Sequence, residues 1–257
     1  MAFRTFRVAT LLGLLLAISA RAAWNVSSSE TEKSATSGIE HRRIRLTDTV
    51  TSDEATLELA LFSPKFARLR VVDNPNGEAE LAAIMRRLRG IAGVNGGYFD
   101  PQNTPVGLLL SDAKLIAPLR KARLLSGVLV VAKDRVELLR SGEYSVRKNA
   151  TAALQCGPFL VDAGKAVVGL NDTKPARRTL VLTSGPEYVA LGFCSPVTLA
   201  QLGEILATPR LAPDLKVQRA LNLDGGSSSA FWFAGERGVF SIPEQKAVRD
   251  FVVVVPK

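Results

Sequence analysis

The sequence predicts an α+β domain, with a mixed, largely antiparallel twisted β-sheet core and two main helices. Three observations lead there. Short apolar runs recur along the chain, separated by turns rich in Gly, Pro, Asn and Asp. Only residues 78–89 and 198–207 carry apolar side chains at helical spacing. The 47% apolar content of 257 residues suffices for one sizeable core.

The first 22 residues read as a signal peptide. Arg4 and Arg7 form a positive start, residues 8–18 a short Leu-rich run, and Ala20-Arg21-Ala22 a small-x-small cleavage pattern. The run is too short to span a bilayer comfortably. The expectation is a mature chain, cut near Ala22, that is secreted or periplasmic and has no membrane span. Residues 23–38 are rich in Ser, Thr and charge and read as a flexible tether. Residues 39–257 are then the folded domain.

Residues 39–46 alternate weakly and make the first predicted strand. Residues 55–63 make the second, with Leu57, Leu59 and Leu61 on one face. Phe66, Leu69, Val71 and Val72 follow Pro64 and are expected to pair with it. Asn74-Pro75-Asn76-Gly77 is a turn. In residues 78–89, Leu81, Ile84, Met85 and Leu88 share a helix face, and Arg86, Arg87 and Arg89 load the end where the dipole favours cations. Gly90 is the expected stop. Residues 91–94 form a buried strand, and hairpins are expected over 108–117, 127–139 and 159–168. Strands at 179–182 and 188–193 join across Ser184-Gly185-Pro186-Glu187. Thr198 and Gln201 have capping-box spacing for the second helix, whose Leu199, Leu202, Ile205 and Leu206 face inward. Residues 219–223 return to the sheet, and the β-branched run 251–255 is expected to be a central strand.

The formal charge of +9 falls to about +6 without the signal peptide, still basic. Its Lys and Arg residues are scattered, with no dense tract or DNA-binding motif, so a phosphorylated or anionic saccharide fits better than nucleic acid. The single histidine, His41, lies in the polar run Glu40-His41-Arg42-Arg43 and is expected at the surface. That excludes a Ser-His-Asp triad around Ser228 and a zinc site needing paired histidines. Cys156 and Cys194 permit a disulfide in an oxidising compartment. Each also lies in an apolar strand-like segment, where a free thiol packs as a small hydrophobe. Both readings stay open.

The chain is organised around residues 221–232. Leu221 and Leu223 alternate with Asn222 and Asp224, then Gly225-Gly226 and three hydroxyls, Ser227, Ser228 and Ser229, precede the apolar Ala230-Phe231-Trp232. Alone, this is either a Gly-Gly hairpin turn with Asp224 an ordinary turn residue, or a donor-rich turn beside a carboxylate. Val94-Asn95-Gly96-Gly97-Tyr98-Phe99-Asp100 repeats the grammar. With Gly157-Pro158-Phe159-Leu160 and Arg178-Thr179, these stretches form four motifs in an order that resembles the phosphodiester glycosidase family over about residues 90–233.

The resemblance implies hydrolysis of a sugar–phosphate diester at its glycosidic bond. It implies catalytic roles for Asp224, Arg178 and Asn95. Substrate-binding roles are implied for Gly96, Gly97, Tyr98, Phe99, Asp100, Gly157, Asn222, Gly225, Gly226, Ser228 and Ser229. A guanidinium matches two phosphate oxygens, which suits Arg178, although a surface arginine before a strand is the plain alternative. Common glycosidases use two carboxyls. Asp100 and Glu204 are the candidates for the second, though a phosphate leaving group lessens the need for an acid. Where the family pattern has a third Gly and a Thr, this chain has Ser227 and Ala230, so a non-catalytic saccharide-binding protein is the rival reading. Asp224 and Asn222 are oxygen ligands of the kind calcium takes, but no calcium-loop motif is present, and no metal or cofactor is expected.

Overall fold

The computed structural model describes residues 24–257 except 37, 134, 146–148, 210 and 213. The expected signal peptide lies outside the described residues. The chain begins with β1 (Trp24–Lys33), β2 (Ile39–Asp48), β3 (Glu54–Phe62), β4 (Ala67–Asp73), α1 (Leu81–Leu88) and β5 (Ala92–Asn95). It continues through β6 (Leu109–Ser111), β7 (Lys114–Ala117), β8 (Gly127–Ala132), β9 (Arg135–Arg140), β10 (Ala152–Cys156), β11 (Phe159–Asp162) and β12 (Lys165–Ala166). Next come β13 (Ala176–Ser184), β14 (Tyr188–Val197), α2 (Leu199–Ala207) and β15 (Arg219–Asn222). A 3₁₀ turn (Gly226–Ser228), β16 (Phe231–Gly235), β17 (Gly238–Ile242) and β18 (Asp250–Pro256) complete it.

The strands form three sheets, ordered β1-β2-β3-β14-β13-β15-β11-β12, β7-β6-β10-β8-β9 and β17-β16-β5-β18-β4. Among the described residues every strand pairing is antiparallel, so the expected mixed sheet is instead three antiparallel ones. Their inner faces meet in one core: Phe62 and Leu191 from the large sheet, Leu129 and Leu154 from the second, Val94, Phe231 and Val252 from the third. Truncating a buried ring such as Phe231 to Ala costs about 3–5 kcal/mol.

Each helix covers one outer face. Leu202, Ile205 and Leu206 of α2 pack on Leu160, Leu180 and Leu182, and Leu81, Ile84 and Met85 of α1 pack on Trp232, Phe251 and Val253. Strand β18 lies between β5 and β4. Val252 and Val254 face the central core while Phe251, Val253 and Val255 face α1, so an unbroken apolar run is required there. The Thr198–Gln201 capping box forms as expected.

Four expectations fail for identifiable reasons. Residues 24–33 are not a tether but β1, paired with β2 from Trp24↔Asp48 to Lys33↔Glu40. Only Trp24 and one later side chain or two tuck inward, so an edge strand facing water has the composition of a linker. Strand β4 pairs with β18, not β3. Helix α1 ends on Arg89 in the left-handed conformation, φ 51°, rather than on Gly90. His41 is buried, its Nε2 2.6 Å from Glu58 Oε2, with its ring among Phe231, Phe233 and Phe240. Its polar neighbours alternate away from it along β2. Cys156 and Cys194 are separate buried thiols.

Candidate active site

The ends of β5 and β15 are tied together by one amide. Asn95 Nδ2 donates to the Asp224 carbonyl at 2.8 Å, while Asn95 Oδ1 accepts the Ala230 N–H at 3.0 Å and the Thr179 hydroxyl at 2.7 Å. Asn95 therefore pins both ends of the 224–230 turn, and it is fully buried. Its hydrogen-bonding capacity is largely spent on the fold. Within the turn, Gly225 N–H donates to Asp224 Oδ1 at 2.9 Å, and Gly226, at φ 65°, opens the 3₁₀ turn. Ser227 is exposed and outside the left-handed region, so replacing the family's third glycine causes no strain. Ala230 is enclosed, with its N–H used by Asn95.

Gly96 and Gly97 serve a different purpose from the one expected. Their N–H groups do not face a ligand: Gly96 donates to the Asp250 carbonyl and Gly97 to Asp250 Oδ1, each at 2.9 Å. A Cβ on Gly96 would stand 1.8 Å from Asp250 Oδ1. The Gly96 carbonyl accepts the Asp224 N–H at 2.9 Å. Tyr98 donates its hydroxyl to the Gly157 carbonyl at 2.5 Å, and Asn222 Nδ2 reaches both Tyr98 Oη and Gly157 O, at 3.1 and 3.0 Å. Burial pushes the Tyr98 phenol well above its ordinary range.

The charges around Asp224 are set by burial. Desolvation raises its carboxyl above the usual range, opposed by the Ser228 side chain, the Lys246 ammonium and the Gly225 N–H. Arg178 lies against the next residue of the turn: a Cβ on Gly225 would stand 3.9 Å from its Nη1. Its Nε and Nη2 donate to the Val197 and Lys174 carbonyls at 2.9 and 2.6 Å. Arg177 donates to the Ser229 and Pro243 carbonyls and lies over the Phe193 ring. Among the described residues, neither arginine has a carboxylate within ion-pair distance. Lys246 Nζ sits 5.1 Å from the Phe99 ring centroid. Asn222 Oδ1 and Ser229 Oγ are buried with no hydrogen-bond partner among the described residues, and Ser228 Oγ has none beyond the Asp224 carboxyl it faces. The turn thus combines a carboxyl, arginines without a carboxylate partner among the described residues, and a buried acceptor and hydroxyl left unused there.

Most expected site residues converge here, but Asp100 and Phe99, like Asn95, Gly96 and Gly97, do structural work. Asp100 Oδ1 accepts the Gln102 and Thr104 N–H groups at 2.9 and 2.8 Å and closes its own turn. Phe99 packs in the cluster beneath α1. Glu204 lies on α2, which packs against β11, β12 and β14. Sequence reasoning missed Asp250, Arg177 and Lys246; a carboxylate opening the apolar 251–255 run was the available signal for the first. Among the described residues no three His, Cys, Asp or Glu side chains gather as a metal cage. A separate cleft of about 590 Å³, lined by Lys33, Glu40, Arg42, Tyr188 and Asp214, shares none of these residues.

Comparison with solved structures places this fold beside three others. The catalytic domain of zebrafish N-acetylglucosamine-1-phosphodiester alpha-N-acetylglucosaminidase, auto-inhibited by its pro-peptide, matches with TM-score 0.63 and 16% identity, over 90% of this chain and 89% of that one. A Synechocystis protein matches with TM-score 0.59 and 14% identity, over 86% and 62% of the two chains. A Burkholderia pseudomallei protein described as exported matches with TM-score 0.58 and 12% identity, over 81% and 75%. No match to the sequence was found among curated proteins. The model of the phosphodiester glycosidases, by contrast, matches residues 89–255, well over half of the chain and all of the turns just described. The chain belongs to the phosphodiester glycosidase family, whose members are glycosidase-type hydrolases.

Proposed function

We propose that this protein is an exported hydrolase that cleaves the glycosidic bond of a sugar-1-phosphodiester or related phosphorylated saccharide of the envelope or exopolysaccharide. The observation that carries this reading is the half-buried Asp224 carboxyl on a turn whose next residue, Gly225, lies against Arg178, a guanidinium without a carboxylate partner among the described residues. An unpaired, partly desolvated guanidinium suits a phosphate anion.

In the proposed reaction, water oxygen bonds to the anomeric carbon and the bond from that carbon to the phosphate oxygen breaks. The phosphate monoester leaves with the electron pair, stabilised by Arg178, and the proton of the attacking water passes to the Asp224 carboxylate. The departing phosphate is a good leaving group, so a single carboxylate with electrostatic stabilisation carries the step. Ser229 and Asn222 Oδ1 offer their unused polar atoms to sugar hydroxyls, while the Ser228 hydroxyl faces the Asp224 carboxyl. Asn95 acts by holding the turn rather than by touching substrate.

Release of free sugar from a panel of sugar-1-phosphodiesters tests the reading, with Asp224→Ala and Arg178→Ala beside the wild type. Turnover lost in both, at unchanged melting temperature, supports it. Saccharide binding that raises the melting temperature without any turnover would replace it with a saccharide-binding protein. The mass of the protein from an envelope or secreted fraction tests export: a chain starting near residue 23 is expected, and full-length protein in the cytosol would overturn that part.

A further inference from the structure

The carboxyl of Asp250 takes no part in the chemistry above, yet it is joined to Asp224 by consecutive hydrogen bonds. It is 1% exposed. Its Oδ1 and main-chain carbonyl hold the Gly97 and Gly96 N–H groups, each at 2.9 Å. The Gly96 carbonyl then holds the Asp224 N–H at 2.9 Å, and Asn95 holds the Asp224 carbonyl at 2.8 Å. Resting on the hydrolase reading of Asp224, we propose that Asp250 is a positioning residue of this site: as the neutral acid it locks the Gly96–Gly97 turn, and through that turn it fixes where the Asp224 carboxyl points.

The surroundings favour the neutral form. Asp250 Oδ2 is buried with no hydrogen-bond partner among the described residues, and an ionised carboxylate so placed is costly. Its neighbour in sequence, Arg249, is engaged with Asp73 at 2.8 Å and with the Pro75 and Asn103 carbonyls at 3.2 Å. The other titratable groups that face it are Asp73 on β4, Asp224 beyond β15 and the Cys156 thiol on β10. Burial first, then the two carboxylates, pushes its acid up to about 7, against the pull of the Gly97 N–H and Arg249. Gly96 is part of the same device, because any side chain there would occupy the carboxyl's position.

Asp250→Ala and Asp250→Asn, compared with wild type, test the proposal in three ways. Amide hydrogen exchange needs no substrate: in Asp250→Ala the Gly97 and Asp224 amides should exchange about tenfold faster, while Val252 and Val253 keep their protection. Melting temperature against pH reports the proton. An acid raised above the unfolded value of about 3.9 contributes stability that is full below that value and lost as pH rises through the folded value, here about 7. Asp250→Asn cannot ionise, so its melting temperature should gain on that of wild type from about pH 4 to pH 8. In turnover, Asp250→Ala should lower kcat by about 10²-fold at near-constant KM, and Asp250→Asn should restore most of it.

Unchanged exchange at Gly97 and Asp224, or an Asp250→Asn melting offset that is constant with pH, would overturn the proposal. So would an Asp250→Ala protein that melts earlier but keeps the wild-type kcat and pH profile. If Asp250→Ala does not fold, the Asp250→Asn offset decides. Wild-type protein that turns over no sugar-1-phosphodiester would instead overturn the hydrolase reading, and the exchange and melting measurements would still decide for or against the lock.

Discussion

Two Gly-Gly turns with nearly the same spelling, Asn95-Gly96-Gly97 after β5 and Asp224-Gly225-Gly226 after β15, use glycine for opposite reasons. In the first, glycine is needed for volume: the Asp250 carboxyl fills the space a Cβ would take, 1.8 Å away, and both N–H groups are bound to Asp250. In the second, it is needed for backbone angle: Gly226 sits at φ 65° with open space around it. The first turn is closed on itself and serves as a frame. The second keeps a half-buried carboxyl faced by the Ser228 hydroxyl, and a buried Ser229 hydroxyl with no hydrogen-bond partner among the described residues, so it is the turn that can do chemistry.

Asp224→Asn should break that contrast most completely, lowering kcat by about 10²–10⁴-fold, the usual weight of a general base, with little loss of melting temperature. The wild-type pH profile should support the assignment. Burial raises the Asp224 acid, so activity that needs its ionised form should fall on acidification at a pH above the ordinary carboxylate value of about 3.9. A profile flat into that acid range would remove Asp224 from the role of base.

The two turns can then be compared directly by adding one methyl group to each. Gly96→Ala must displace Asp250 and should cost about 1–3 kcal/mol or more, seen as a lower melting temperature together with lower kcat. Gly226→Ala meets no atom and should cost about 1–2 kcal/mol for the left-handed backbone alone, with the loss confined to stability. Equal kcat losses from the two would show that the distinction between frame and working turn is mistaken. Arg178→Ala should lower kcat for a phosphodiester substrate by about 10–100-fold or more, the worth of a hydrogen bond to the charged, departing phosphate. It should leave hydrolysis of an uncharged aryl glycoside within about twofold. Equal effects on both substrates would mean that Arg178 supports the fold instead of the phosphate.

The sequence made the working turn legible because its chemistry needs particular residue types in order: Asn, Asp, glycines and hydroxyls cannot be exchanged freely there. The helices were legible too, since periodicity and the Thr198–Gln201 box are local signals. What was hidden depends on partners far away in the chain. Asp250 meets Gly96 across 154 positions only because β18 pairs with β5, and nothing near either residue encodes that pairing. Strand β4 finds β18 rather than its neighbour β3 for the same reason. His41 looked solvated because its window is polar, but alternation along β2 turns Glu40 and Arg42 to the opposite face, where Arg42 is held by Glu40 and Asp214, and the imidazole toward Glu58 and three phenylalanines. Strand β1 has the composition of a linker because most of its side chains need only water.

The smallest expected effect falls where the sequence departs from the family pattern. A third glycine would be required at residue 227 if that position took a left-handed backbone, but that conformation belongs to Gly226. Ser227 is exposed, and among the described residues only its carbonyl is engaged, accepting the Gln245 N–H at 2.7 Å. Restoring glycine therefore relieves no strain and adds freedom to the unfolded chain, so Ser227→Gly should lose about 0.5–1 kcal/mol, or about 1–4 °C in melting temperature. Turnover should stay within about twofold, because the Gln245 contact is made by the backbone. A Ser227→Gly protein that is more stable, or several-fold faster, would show that the serine does constrain the turn, and would reopen the question of what the departure does to substrate choice.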